Sequence, residues 1–111
     1  MDQSLLIKDF PQDERPRERL VAMGASSLSN HELIAILLRT GTKDESVLQL
    51  SNRILTHFEG LQLLQHASLD EMMNIKGIGP AKAIQIIAAI EIGKRIVQRK
   101  SSERYTIHGP E

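Results

Sequence analysis

The stretch Ile75-Lys76-Gly77-Ile78-Gly79-Pro80-Ala81-Lys82 decides the fold. Two glycines flank one isoleucine, so the backbone can turn sharply while Ile78 points into a core. Pro80 suits the first position of a helix, because its fixed φ is already helical and its missing N–H would have no partner there. The stretch therefore predicts a tight turn that leads into a helix starting at Pro80.

Helical patterns lie on both sides of this turn. Upstream, Ser68 and Glu71 have the spacing of a capping box, which predicts a short helix from residue 69 to about residue 75. Downstream, apolar residues recur with helical spacing from residue 81 to about residue 100. A helix, a glycine turn and a second helix are typical of a helix-hairpin-helix motif.

The start of the second helix is also predicted to bind an anion. Backbone N–H groups at a helix N-terminus lack partners within the helix, and the helix dipole favours negative charge there. The predicted phosphate-binding residues are Lys76, Gly77, Ile78, Gly79, Ala81 and Lys82. The alternative interpretation of the same stretch is a turn that only packs two helices together.

An earlier segment repeats this arrangement in a looser form. Ser29 and Glu32 have capping-box spacing, and the apolar helix that follows is expected to stop at Gly41. A second amphipathic helix is predicted from about residue 46 to residue 58, closed by Gly60. A single glycine stands in for the Gly-Ile-Gly of the later turn, so this first hairpin is expected to be degenerate. Its weaker candidates for phosphate contact are Thr40, Gly41, Thr42 and Lys43.

The whole chain is predicted to be all-α, since no segment alternates with the period of two that a half-buried strand requires. The expected architecture is a compact bundle of about five to six short helices, built as a tandem helix-hairpin-helix. Residues 16–100 are expected to form this domain, residues 1–15 an N-terminal arm and residues 101–111 a linker. Pro16 is expected to open a first helix that ends near Met23, followed by Gly24.

Charge is unevenly distributed along the chain. The 111 residues carry 14 basic and 14 acidic side chains. Residues 1–75 hold seven basic and eleven acidic side chains, whereas residues 76–104 hold seven basic and two acidic ones. The basic part contains the glycine hairpin, and a basic surface attracts nucleic acid by releasing counterions, whatever the base sequence. Cations near the end of the last helix equally complement its dipole, so they are not counted as contacts.

Composition narrows the classes of function and location. Aromatic residues make up 3% of the chain, so binding of single strands by base stacking is not expected. The first eight residues contain only three consecutive apolar side chains, too few for a signal peptide, and no apolar run approaches the length of a membrane span. The absence of cysteine fits a reducing cytosol. We therefore expect a cytoplasmic protein that does not enter a membrane.

The histidines do not form a metal-binding or catalytic pattern. They are His31, His57, His66 and His108. His31-Glu32 begins like a zinc metalloprotease helix, but Ala35 stands where the second zinc ligand is required. No metal, no other cofactor and no catalytic residue are predicted in this chain.

Three stretches, in their order and spacing, resemble the N-terminal region of bacterial RadC proteins. They are Arg15-Pro16-Arg17-Glu18-Arg19-Leu20, Leu37-Leu38-Arg39-Thr40-Gly41-Thr42 and the hairpin stretch at 75–82. The resemblance covers essentially the whole chain and is more specific than the hairpin alone. It implies a tandem helix-hairpin-helix domain ahead of a JAB/MPN-type, metalloprotease-like domain that carries zinc. It also implies a role in DNA repair.

Two functions stay open at this point. The leading hypothesis is an accessory domain that binds DNA without sequence preference, with phosphate held by the hairpin and the following helix N-terminus. The alternative is a protein-interaction or positioning module for a downstream metalloprotease-like domain or a partner protein. The zero net charge and the broadly apolar last helix favour this second hypothesis. Enzymatic activity is expected at most in a parent protein, as a zinc metalloprotease-like hydrolase.

Overall fold

A computed structural model describes residues 15–107, and it describes side chains as far as residue 99. The helices are α1 (Arg15–Met23), α2 (Asn30–Leu38), α3 (Val47–Phe58), α4 (Leu61–Leu64), α5 (Leu69–Met73) and α6 (Pro80–Ile107). One short 3-10 turn (Ala25–Ser27) follows α1. No strand occurs between residues 15 and 107, which confirms the all-α prediction. The predicted N-terminal arm, apart from Arg15, and residues 108–111 lie outside the described residues.

Three helices begin at capping boxes. In each box a serine hydroxyl accepts a hydrogen bond from the backbone N–H three residues later, while that later side chain accepts from the serine N–H. The pairs are Ser29 with Glu32, Ser46 with Gln49, and Ser68 with Glu71. The boxes at Ser29 and Ser68 are confirmed predictions, and the one at Ser46 was not predicted. Because each box satisfies otherwise unpaired N–H groups, the helix starts are fixed by local sequence.

The turn after α2 differs from the prediction. Helix α2 ends at Leu38, and Arg39 has the positive φ, 72°, that takes the chain out of the helix. Gly41 serves another purpose, since a Cβ there would lie 2.1 Å from the carbonyl oxygen of Glu45. The prediction that Gly41 stops the helix is therefore wrong. Glycine is needed at this position because two parts of the same loop approach closely.

The first helix has nearly the predicted bounds, whereas the last helix is longer than predicted. Pro16 lies in the first turn of α1 and Gly24 follows the helix with φ 88°, as predicted. Helix α6, however, continues to Ile107, past the expected end near residue 100. The segment 101–107 is polar but contains neither glycine nor proline, so nothing in it terminates a helix. That residues 101–111 act as a linker stays a prediction.

One hydrophobic core joins both hairpins. Helix α2 packs against α3 and α6, and α5 packs against α6. The buried core residues are Ile34, Ala35, Leu38, Val47, Leu50, Ile54, Phe58, Leu64, Met72, Ile75, Ile78, Ala83 and Ile86. Ile78, between the two glycines of the hairpin, is only 4% exposed, as predicted. Because both hairpins contribute to one core, their loops are held in a fixed relation to each other.

Candidate nucleic-acid interface

The loops of the two hairpins lie side by side. We call residues 39–46 the first loop and residues 74–79 the second loop. The Nζ of Lys82, in the first turn of α6, lies 3.1 Å from the Thr40 hydroxyl oxygen, to which it donates. A Cβ on Gly77 would lie 3.0 Å from Cγ2 of Thr42. The stronger and the weaker predicted phosphate candidates therefore belong to one surface.

Arg53 on α3 connects the two loops. Its guanidinium donates twice to the Glu45 carboxylate, with Nε–Oε2 at 2.9 Å and Nη2–Oε1 at 2.8 Å. The same Nη2 donates to the backbone carbonyl of Lys76. We call this set of contacts the Arg53 clasp. It fixes the first loop, through Glu45, against the second loop, through Lys76.

The Arg53 clasp is expected to weaken in acid. The hydrogen bonds from Arg53 hold the pKa of the Glu45 carboxyl below its ordinary value, against partial desolvation and with help from the charges of Arg53 and Lys76. A carboxyl whose pKa is lower in the folded protein stabilises the fold above its unfolded pKa, and this contribution disappears as pH falls through the folded pKa. The contribution should be complete at pH 7, should begin to fall near the ordinary glutamate pKa of about 4.3, and should disappear as the pH passes through the lower folded pKa.

A Glu45→Gln variant tests this pH dependence, because its side chain does not titrate. Urea unfolding should give a lower free energy of unfolding for the variant than for the wild type at pH 7. The difference should shrink as the pH is lowered toward 3. A difference that is the same at both pH values would contradict the assignment.

The N-terminus of α6 presents open backbone donors. The first helical hydrogen bond is donated by the Ala83 N–H to the Gly79 carbonyl, at 3.0 Å. Pro80 has no N–H. Within residues 15–107, the N–H groups of Gly79, Ala81 and Lys82 donate no hydrogen bond. Gly79 and Ala81 are also exposed. Three neighbouring donors are therefore open to a ligand.

Ile78 is not one of these donors. Its N–H donates to the carbonyl of Ile75 at 3.0 Å, and its side chain is buried. The prediction that the Ile78 N–H joins the phosphate site is therefore wrong, because the turn uses this group to close itself. Gly77 is also chiefly structural, since it has a φ of 93° and packs against the first loop.

Gly79 has no evident structural need to be glycine. Its φ lies outside the left-handed region, and a Cβ built on it would have no atom within 4 Å. Gly41 and Gly77, by contrast, are each required by a close approach or a positive φ. The missing side chain at residue 79 leaves open space beside the three donors. A ligand backbone can approach the protein backbone closely there.

Cationic side chains lie at the start of α6 and in both loops. After donating to Thr40, the Lys82 ammonium has two further N–H groups to offer. Lys43 and Lys76 are exposed, and with Arg53 they line an open cleft of about 620 Å³. Two carboxylates, those of Asp44 and Glu45, also line this cleft. The cleft is thus mixed in charge, whereas the α6 N-terminus next to it offers only donors and a cation.

The predicted phosphate-binding residues fall into two groups: exposed residues, and residues that hold the loops in place. The exposed residues from both lists include Lys43 in the first loop, Lys76 and Gly79 in the second loop, and Ala81 at the start of α6. Thr40 and Thr42 connect the loops, and Gly41 is structural. Arg53 was missed by sequence reasoning. Its partners Glu45 and Lys76 lie 8 and 23 residues away, so no local pattern marks it.

The described residues contain neither a metal-binding cluster nor a membrane-spanning helix. In the described part of the chain, no three His, Asp or Glu side chains are arranged to hold a metal ion. His31 lies in the first turn of α2, with Nδ1 3.1 Å from the Ser29 hydroxyl. Between residues 15 and 107, no helix has the length and apolar character needed to cross a membrane.

Known proteins resemble this chain over almost its whole length. The family model described as UPF0758 N-terminal matches residues 7–84. Similar relatives include a UPF0758 protein of Geobacillus thermodenitrificans, 63% identical over 106 residues, and UPF0758 protein YsxA of Bacillus subtilis, 58% identical over 110 residues. These alignments cover 96% and 99% of this chain, but the chain spans about half the length of the curated relatives it matches, 47% and 48%. No solved structure gives a significant match.

Proposed function

The chain belongs to the UPF0758 family, as its N-terminal domain, and we propose that this domain binds the sugar-phosphate backbone of DNA without sequence preference. The membership confirms the family resemblance found in the sequence. The names of the relatives state no ligand or reaction. The proposal therefore rests on the surface formed by the two loops and the start of α6.

The observation that carries the proposal is the group of three open donors at the start of α6. The N–H groups of Gly79, Ala81 and Lys82 lack acceptors among the described residues. Phosphate oxygens are anionic acceptors, and the positive end of a helix dipole favours them. Contacts of this kind carry no information about base sequence. One phosphate group bound here would satisfy donors that the fold leaves unpaired.

The first loop offers a second point of contact. The Thr40 hydroxyl lies 3.1 Å from the Lys82 ammonium, so both groups can reach the same or adjacent phosphates. Lys43 is exposed in the same loop. The carboxylate of Glu45, which would repel phosphate, is paired with Arg53. We therefore propose that the first hairpin assists the second, although it lacks the Gly-Ile-Gly turn.

Titration with DNA at several salt concentrations tests the proposal. Fluorescence anisotropy with short labelled duplexes of two unrelated sequences should give similar affinities. The logarithm of the binding constant should fall with the logarithm of salt concentration, with a slope of about 0.9 per phosphate contacted on duplex DNA. Binding that is absent at low salt, or that does not respond to salt, would contradict the proposal.

Replacing Lys82 by glutamine should remove one phosphate contact. We expect the Lys82→Gln variant to show weaker DNA binding and a salt slope reduced by about 0.9. Lys94→Gln is the matched control, because it removes the same charge from α6 three turns further along. Equal losses in both variants would mean that net charge alone attracts DNA, and that the start of α6 is not the contact.

The proposed activity would serve a longer protein. The relatives extend well beyond the region matched by this chain. From the resemblance to RadC proteins we propose a cytoplasmic role in DNA repair, with any zinc-dependent hydrolysis located in the second half of the protein. For the chain itself we propose binding and no catalysis.

A further inference from the structure

The middle of α6 carries apolar side chains that the described bundle does not cover. Near the start of the helix, Ala83 and Ile86 are 0% and 2% exposed. Further along, Ile92, Ile96 and Val97 are 61%, 55% and 65% exposed. We call these three side chains the α6 tail surface. Aliphatic residues so exposed and so close together commonly mark an interaction site.

The α6 tail surface is apolar on more than one side of the helix. At about 100° per residue, Val97 continues the line of Ala83 and Ile86, whereas Ile92 lies about 140° away from Val97. Val97 also borders an open groove of about 420 Å³ between α6 and Gln65, which follows α4. Helices that are apolar on several sides are normally enclosed by other elements. The described bundle leaves all three side chains of the α6 tail surface more than half exposed.

We propose that the α6 tail surface docks against the C-terminal half of the full-length UPF0758 protein. The N-terminal family match ends at residue 84, so the surface lies just beyond it. The relatives are about twice as long as the region matched, and α6 is the last helix of the described residues. A covalently tethered partner has a high effective concentration, so a small apolar surface is enough to hold it.

A second copy of this chain is a poorer fit. Stable interfaces between free proteins bury about 800 Å² per partner, more than three partly exposed aliphatic side chains offer. A two-fold contact uses one patch on each subunit, so it would cover one side of the helix and leave the other exposed. A larger partner that surrounds the helix can bury enough area and can cover both of its apolar sides.

The charges beside the α6 tail surface indicate the chemistry of the face that it would contact on the C-terminal half. Between Glu91 and Glu103 the chain has no acidic residue, while Lys94 and Arg95 flank the apolar side chains. Arg95 pairs with Glu91 at 3.0 Å across a highly exposed part of the helix. We therefore expect an apolar face bordered by carboxylates on the C-terminal half. This inference does not depend on DNA binding, which uses the opposite end of α6.

Thiol labelling tests the docking directly, because the chain has no cysteine of its own. Ile92→Cys and Val97→Cys variants are made in two proteins, the 111-residue chain and the chain joined to the C-terminal half of the Geobacillus thermodenitrificans relative. Labelling of each peptide is followed by mass spectrometry. Val21→Cys is the matched control, since Val21 on α1 is 81% exposed.

Docking predicts labelling at residues 92 and 97 at least tenfold slower in the longer protein, with no change at residue 21. Equal rates in both proteins would overturn the proposal. So would slower labelling in the 111-residue chain as its concentration rises, since that outcome would identify a second copy as the partner. Substitution by cysteine keeps these exposed positions small and apolar, so folding should be unaffected.

Discussion

The Gly79→Asp variant should bind DNA more than tenfold more weakly than the wild type while unfolding no more easily. Residue 79 directly precedes the first helical residue of α6, a position at which aspartate is a preferred N-cap. The new carboxylate would accept from the open N–H groups of Ala81 and Lys82 and would repel phosphate. The free energy of unfolding should stay the same or rise by up to about 1 kcal/mol. Anisotropy titration and urea unfolding measure the two quantities.

Asparagine at the same position separates the two causes of the expected loss. Gly79→Asn has almost the same shape and occupies the same donors, but it carries no charge. We expect it to weaken DNA binding less than aspartate does. If the hairpin only packs two helices together, all three proteins should bind DNA equally well. DNA affinity of Gly79→Asp equal to that of the wild type would rule out the start of α6 as the phosphate site.

The Gly41→Ala variant should be destabilised by about 1–3 kcal/mol, the usual cost of forcing an extra carbon into a well-packed site. The added Cβ would lie 2.1 Å from the Glu45 carbonyl oxygen and 2.6 Å from the carbonyl carbon of Ser46. Both atoms belong to the backbone, so the first loop must move. Thermal unfolding should show a midpoint lower by several degrees, since 1 kcal/mol corresponds to about 4–8 °C in a domain near this size.

Gly93→Ala is the matched control for the change at residue 41. Gly93 lies within α6, and a Cβ there would have no atom within 4 Å. Alanine should therefore stabilise the helix by about 0.5–1 kcal/mol. The same glycine-to-alanine change is thus expected to have opposite signs at the two positions. A Gly41→Ala protein as stable as the wild type would show that the close approach in the first loop is not required.

Features encoded by a few neighbouring residues were predictable from the sequence. The capping boxes at Ser29 and Ser68, the buried Ile78 and the helix start at Pro80 all follow from short-range hydrogen bonding or backbone preference. Boundaries without such a signal were less well predicted. Arg39 takes a positive φ that its residue type does not favour, and residues 101–107 continue α6 because nothing there breaks a helix.

The arrangement of the candidate site was only partly predictable. Spacing placed donors and a lysine at the start of α6, and the structure leaves three of those donors open. The pairing of Lys82 with Thr40 joins residues 42 positions apart, and it depends on how the hairpins pack. Recruitment of Ile78 to close the turn likewise depends on a backbone hydrogen bond that residue type alone does not specify.

The Arg53 clasp has a consequence for the energetics of ligand binding. A loop that must become ordered around its ligand loses conformational entropy, and that loss weakens binding. Here Arg53 holds one loop through Glu45 and the other through the Lys76 carbonyl, both by contacts within the protein. The protein is therefore pre-organised on this side. A nucleic-acid strand bound as proposed should therefore order little of these loops, and it should contact both hairpins together.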